Sequence, residues 1–197
     1  LNKEEVINYA LSFKFGGMLP EELSFLYDIC KDKKVLELGS MVGMSSFVAV
    51  SVAKELHCVD VWKDTQEHLA HDPKQAKVYQ QYLPELPNMF DQFQYNCKDF
   101  IDSGKIKMYR GKTQDLSDKF LNEFFDLLVI DADHSYEGVS RDFDLYHTKI
   151  HSNGSIAFHD YGDSMWTGIG KFCEEKVSAN IIKFIAKNER LAVFKLC

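Results

Sequence analysis

The chain has 197 residues, 45% hydrophobic and 27% charged, with 23 Lys and Arg against 30 Asp and Glu for a net charge of −7. That is enough chain for one domain with a real core, and the composition is that of an ordinary soluble globular protein. No Lys/Arg cluster could track a phosphate backbone, which argues against nucleic acid as substrate, and no apolar run reaches membrane-spanning length.

Glu4 to Ala10 and Pro20 to Cys30 read as helices, the second opened by Pro20 and carrying Leu23, Phe25, Leu26 and Ile29 on its apolar positions. Between them, Phe15-Gly16-Gly17-Met18-Leu19 is a glycine hinge. Val35 to Leu38 is the first strand, followed by a glycine turn and a helix from Phe47 to Lys54. Glu55 to Val61 is a second strand with Asp60 near its end. Trp62 to Asp91 is polar, holds Pro73, Pro84 and Pro87, and reads as an inserted lid or a helical excursion. Met89 to Asp102 is expected as one helix, Lys105 to Tyr109 as a strand, and Ser117 to Asn122 as a short helix. Asp126 to Ile130 is a continuous apolar strand, the pattern of a strand covered on both faces. Tyr136 to Thr148 is helical. A turn at Ser152-Asn153-Gly154 precedes a strand from Ser155 to Phe158, then a helix from Ile169 to Val177. Ile181 to Ile185 and Leu191 to Leu196, joined through Ala186 to Arg190, read as a closing antiparallel hairpin.

Strands alternating with helices imply an α/β, doubly wound, mostly parallel sheet, which the late hairpin makes mixed. Residues 1–197 read as a single domain, with 1–30 as a helical cover and 62–104 as the lid or insertion region. The cysteines Cys30, Cys58, Cys97, Cys173 and Cys197 contain no C-x-x-C pair, so reduced thiols in a cytoplasmic protein are the expectation. The N-terminus is charged and lacks an apolar signal core. It does not begin with Met, so what precedes Leu1 is open.

The first informative motif is Glu37-Leu38-Gly39-Ser40-Met41-Val42-Gly43-Met44-Ser45. A buried strand, a glycine turn and a helix start make a cradle for a nucleotide-like cofactor, because glycines allow close approach and helix amides offer donors. The spacing is E-x-G-x-x-x-G-x-S, not the G-x-G-x-x-G of a dinucleotide site. Met41 at the middle position blocks a pyrophosphate, and Glu37 at the strand tip repels one, so an amine-bearing or cationic ligand is expected. Asp60, about twenty residues on, is placed to bind ribose hydroxyls or to cap its strand.

Two further motifs carry chemistry. Ile130-Asp131-Ala132-Asp133-His134 and Phe158-His159-Asp160 are apolar strands ending in ionisable groups. In an open α/β sheet the carboxyl ends of strands form the ligand crevice, and unpaired burial there is costly. Asp131, His159 and Asp160 are expected to converge, an oxygen-rich set with one imidazole that suits Mg²⁺ or Mn²⁺. His134 is a candidate general base or a cap of the following helix. Trp62, Tyr79, Tyr82, Phe90, Phe93 and Tyr95 are aromatic residues of the lid core or of a pocket wall.

These motifs together resemble class I S-adenosylmethionine (SAM) methyltransferases, whose sheet is Rossmann-like and seven-stranded with an antiparallel last strand. The run from Ile130 to Val139 followed by Phe158 to Tyr161 resembles small-molecule O-methyltransferases close to the macrolide-sugar enzymes and the cephalosporin-hydroxylase-like proteins. More distantly it is similar to the catechol and caffeoyl-CoA O-methyltransferases. The resemblance implies SAM as cofactor, held by Glu37, Gly39, Ser40, Met41, Gly43, Ser45, Asp60 and Asp131. By position in the catechol-type pattern, Thr113 and Gln114 hold the adenine, with a helix cap as the other role open to Thr113. It implies a divalent cation on Asp131, His159 and Asp160, and catalytic roles for His134 and Asp131. His134 stands where the catechol-type pattern has Lys, and His159-Asp160 where it has Asp-Asn, which changes the base and lowers the charge of the metal set. The implied partner is a small-molecule acceptor (sugar hydroxyl, catechol, polyketide and peptide all remaining open), with neither nucleic acid nor membrane and with a homo-oligomer open. A metal-independent methyltransferase and a noncatalytic SAM-binding subunit are the alternatives. An NAD-dependent oxidoreductase is disfavoured by Met41 and the missing third glycine.

Overall fold

A computed structural model of the chain describes residues 1–13, 15–62 and 88–197. The elements, numbered here in chain order among those residues, are α1 (Lys3–Leu11), α2 (Pro20–Cys30), β1 (Lys34–Leu38), α3 (Met44–Val52) and β2 (Glu55–Asp60). After residues 63–87 come α4 (Met89–Asn96), α5 (Lys98–Asp102), β3 (Ile106–Arg110), α6 (Thr113–Leu116), β4 (Phe125–Ile130) and α7 (Tyr136–Tyr146). The chain ends with β5 (Ile150–Phe158), α8 (Thr167–Ser178), β6 (Ile182–Asn188) and β7 (Leu191–Leu196). Most of the expected lid, with Pro73, Pro84, Pro87, Tyr79 and Tyr82, lies outside the described residues.

The seven strands form one sheet in the order β3-β2-β1-β4-β5-β7-β6. The first five are parallel, and β7 runs antiparallel to both β5 and β6. This is the mixed, Rossmann-like doubly wound sheet expected from the alternation of elements. Side-chain alternation splits the core in two. Val35, Leu127 and Val129 face α1, α2 and α3, while Leu36, Leu38, Leu128 and Ile130 face α7 and α8. Both faces of β1 and β4 are therefore buried, which is why their sequences are apolar at nearly every position.

Several boundaries differ from expectation. The run Met89 to Asp102 breaks into two helices at Cys97, where φ is −107°. The helix expected over Ser117 to Asn122 is a single 3₁₀ turn at Ser117–Lys119, and α6 precedes it. The turn expected at Ser152-Asn153-Gly154 is part of β5, where an irregularity in pairing with β4 absorbs the extra residues. The helix expected from Phe47 begins at Met44, so the glycine turn runs directly into it. No helix of the described residues is long and apolar enough to cross a membrane. All five cysteines are free.

The register places the functional segments. Leu38 pairs with Val59 and Ile130, Ile130 with Phe158, and Asp60 with Arg110. The chain then leaves every strand at the same edge. Gly39 N donates to Val59 O at 2.9 Å, Asp131 N to Leu38 O at 2.9 Å, Gly111 N to Asp60 O at 2.9 Å and His159 N to Ile130 O at 3.1 Å. Because β7 is antiparallel, the β6–β7 turn arrives at this same edge, where Tyr161 N donates to Arg190 O at 2.9 Å.

Gly39 has φ of +89°, and a Cβ there would stand 2.0 Å from the Asp131 carbonyl oxygen. The left-handed backbone and the close approach both require glycine. Gly39→Ala is therefore expected to destabilise the protein by more than about 1 kcal/mol. Urea unfolding of the variant against the parent tests this, and an unchanged midpoint would show that the turn relaxes freely.

Candidate active site

The edge where the strands end borders one cleft. Gly39, Ser40, Met41, Ser45, Asp60, Thr113, Gln114 and Asp131 line it, together with His134, His159 and Asp160. The sequence thus brings its three motifs to one place. Two residues expected at the ligand, Glu37 and Gly43, do not line the cleft.

Glu37 faces away because side chains alternate along β1, and its neighbours Leu36 and Leu38 take the other face. It is almost fully buried and accepts hydrogen bonds from Ser40 Oγ at 2.6 Å and from Ser46 Oγ. Burial pushes its carboxyl above the ordinary value, against the pull of these hydroxyls. Glu37 thus braces the glycine turn from beneath. Gly43 has the same left-handed backbone, but a Cβ there would meet Cys97 Sγ at 2.8 Å and Phe93 at 3.0 Å. Packing against α4 therefore constrains it.

Asp60 closes the turn from the other side. Its Oδ2 accepts from Ser40 N and Met41 N, both at 2.8 Å, and its Oδ1 accepts from Trp62 N at 2.6 Å. Trp62 Nε1 in turn donates to Met41 O at 2.8 Å. Trp62 and Phe93 are buried and packed together, so these aromatics are core, whereas Tyr95 is exposed.

At the far end of the cleft, Thr113 is the first residue of α6, and Lys112 takes the cap position. The Thr113 hydroxyl serves α7 instead. It donates to Asp142 Oδ1 at 2.5 Å, and Tyr146 OH donates to Thr113 O at 2.7 Å. Two residues one turn apart on α7 thereby pin the segment that carries Gln114 into the cleft. Asp142 is fully buried, and its second oxygen has no hydrogen-bond partner.

The cleft floor holds the charged residues. His134 Nε2 lies 3.1 Å from Asp131 Oδ1 and 3.2 Å from Asp160 Oδ2. Ser135, not His134, caps α7, accepting from Gly138 N at 3.0 Å. The His134 ring stacks on Trp166 with centroids 4.9 Å apart. Asp131, His134 and Asp160 each offer one donor atom, all within 4.8 Å of one another, a set that could hold a metal ion. The expected third ligand, His159, stands outside that set. Its Nδ1 lies 3.1 Å from Asp131 Oδ1, and its Nε2 lies 3.2 Å from Glu22 Oε2. His159 thus has a carboxylate at each ring nitrogen.

Arg190 completes the cluster, donating through Nη1 to Asp160 Oδ1 at 2.9 Å and through Nε to Glu22 Oε1 at 3.0 Å. Arg190, Glu22, His159, Asp131, His134 and Asp160 thus form a closed ring in which basic and acidic side chains alternate. Burial opposes a charge on His159, but Asp131 outweighs it and holds the imidazole well above the usual histidine value. Burial likewise opposes a charge on Asp131, yet His159 and His134 hold its carboxyl well below the usual range. Glu22 is drawn down to about 2, where His159, the Leu19 amide and Arg190 overcome the effect of burial. Sequence reasoning missed Glu22, Trp166 and Arg190. Glu22 reads as a helix-start acid and Arg190 as a hairpin-turn residue, and neither pattern signals burial.

Asp142 supplies a test of the site's electrostatics. Burial pushes its carboxyl up to about 6 against the Thr113 hydrogen bond. A raised acid is least costly to folding when protonated, so its contribution is full below about pH 4 and lost as pH rises through about 6. Asp142→Asn keeps an acceptor for Thr113 and removes the charge. It should gain up to about 1–3 kcal/mol over the parent between pH 4 and pH 7. Urea midpoints at the two pH values check this, and a pH-independent difference would show that Asp142 ionises freely.

Residues 36–161 match a protein family described as methyltransferase domain. An uncharacterized protein of Acanthamoeba polyphaga mimivirus, R132, is 45% identical over 42 residues, 21% of this chain and 19% of that protein. The chain therefore matches about a fifth of that relative's length. Among solved structures, a proposed caffeoyl-CoA O-methyltransferase from Staphylococcus aureus aligns with TM-score 0.69 at 11% identity, over 100% of this chain and 92% of that one. The S-adenosylhomocysteine-bound methyltransferase PaMTH1 of Podospora anserina aligns with TM-score 0.67 at 13% identity, over 99% and 87%. The O-methyltransferase TomG of Streptomyces achromogenes, solved with SAM, aligns with TM-score 0.64 at 10% identity, over 98% and 88%. At these identities the structures speak to the fold, while the family match spans most of the sheet and all three motifs. The chain belongs to the methyltransferase domain family and shares the Rossmann-like fold of solved methyltransferases.

Proposed function

We propose that the chain methylates a hydroxyl oxygen of a small molecule, with SAM as methyl donor and a divalent cation, Mg²⁺ or Mn²⁺, at the cleft floor. The observation that carries this reading is the meeting of His134, Asp131 and Asp160 within 4.8 Å, beside the cleft lined by Gly39, Met41 and Asp60. When bound, the sulfonium supplies an electrophilic methyl group, and a cation on the carboxylates of Asp131 and Asp160 supplies Lewis acidity for the acceptor oxygen. His134 lines the cleft and would take the acceptor's proton once a cation on Asp131 and Asp160 leaves its imidazole neutral. Trp166 holds the imidazole plane by stacking, and Asp131 fixes its direction. The glycine turn, braced by Glu37 and Asp60, bounds the cofactor end of the cleft. Thr113 and Gln114 bound the adenine end. The acceptor class is open among sugar, catechol, polyketide and peptide hydroxyls.

A second reading, metal-independent methyl transfer, is favoured by one observation. In the six-membered ring, His134, His159 and Arg190 already stand opposite the three carboxylates.

Three measurements test these proposals. Titration calorimetry with S-adenosylhomocysteine should show binding, with NAD⁺ silent, and Asp60→Ala should weaken it by roughly 1–3 kcal/mol as a charged partner of the turn is lost. Preference for NAD⁺ would overturn the cofactor assignment. In a mass-spectrometric methyl-transfer screen of hydroxyl acceptors, EDTA should abolish turnover, and Mg²⁺ or Mn²⁺ should restore it. Full turnover after metal stripping would leave the second reading. His134→Ala should lower kcat by about 10²–10⁴ while sparing cofactor affinity. An undiminished kcat would remove His134 from the mechanism.

A further inference from the structure

Glu22 and Arg190 both lie outside the residues that match the family, yet they close the charged ring at the cleft floor. Glu22 is fully buried, at 0% exposure. Its Oε2 faces Leu19 N at 2.7 Å, Arg190 Nη2 at 3.1 Å and His159 Nε2 at 3.2 Å. Its Oε1 accepts from Arg190 N at 2.9 Å and Nε at 3.0 Å. The Leu19 contact is ordinary helix capping by an acid in the first turn. The contacts to His159 and Arg190 are not, for they join Glu22 to residues 137 and 168 positions away. His159 is gripped at both ring nitrogens, so its direction toward Asp131 depends on the grip of Glu22. Arg190 reaches Asp160 and also donates to Gly17 O at 2.9 Å, and Gly16, Gly17 and Met18 line the cleft.

We propose that Glu22 is a positioning residue for the cleft-floor cluster, fixing Asp131 through His159 and fixing Asp160 and the Phe15–Leu19 segment through Arg190. The inference rests on the proposed function in treating Asp131, His134 and Asp160 as the place where the acceptor is activated. Partners of this kind around metal-binding or catalytic groups typically change affinity or activity by about 10–100-fold when removed.

The test compares the parent with Glu22→Gln and Glu22→Asp, using Mn²⁺ as probe in electron paramagnetic resonance titrations and ¹⁵N resonances of the histidine rings in metal-free protein. Glu22→Gln should weaken Mn²⁺ binding about 10–100-fold and shift the His134 ring resonances, although no hydrogen bond joins Glu22 to His134. Glu22→Asp retains the charge and should shift the same resonances less and in the same direction. It decides the matter alone if Glu22→Gln does not fold. His134 resonances left in place by the folded variants would overturn the proposal, as would Mn²⁺ affinity within twofold of a Mn²⁺-binding parent. If the parent binds no Mn²⁺, the cation of the proposed function is wrong, and the His134 resonances alone judge the positioning role.

Discussion

Two buried carboxylates, Glu22 and Asp160, and a half-buried one, Asp131, meet where an apolar sheet ends, and the site is organised by the need to neutralise them. A buried carboxylate without a partner costs several kcal/mol, so Glu22, Asp131 and Asp160 need cationic groups in contact. His159, His134 and Arg190 supply those contacts in alternation, each basic group shared between at least two acids. Sharing matters because a group that loses one contact keeps another, so the ring resists piecemeal loosening and holds its side chains in a narrow set of geometries.

The scaffold delivers these residues through register. Five parallel strands end level, so each chain exit falls on the same edge. The antiparallel β7 then returns the β6–β7 turn to that edge and sets Arg190 beside Asp160. A parallel last strand would carry its leading turn to the opposite side of the sheet. The reversed strand is thus what allows a residue of the terminal hairpin to meet one near the start of α2.

Much of this was legible in the sequence, for identifiable reasons. The apolar runs of β1 and β4, buried on both faces, announce a doubly wound sheet, and acids after such runs announce a cleft. Gly39 could be read from its place in the turn. Glu37 could not, because strand alternation decides whether an acid at a strand tip faces ligand or core, and alternation is silent when both faces are apolar. The convergence of Asp131 and Asp160 followed from neighbouring strands. The roles of His134 and His159 depend on which ring nitrogen meets which carboxylate, a matter of a few degrees of side-chain rotation. Glu22 and Arg190 carry no motif at all. Their pairing spans 168 positions and exists only because the sheet is closed by its antiparallel strand.

That separation sets an order of events during synthesis. At about 5–20 residues per second, Glu22 emerges on the order of 10–30 s before Arg190 does. Over that interval α2 can dock on the growing sheet, but its acid has no guanidinium to meet. The segment that Arg190 holds through Gly17 stays untethered for the same time. Maturation of the cleft is therefore a late step, reached after the parallel sheet is in place, and a chain stalled before the hairpin carries a nearly complete fold around an unfinished centre.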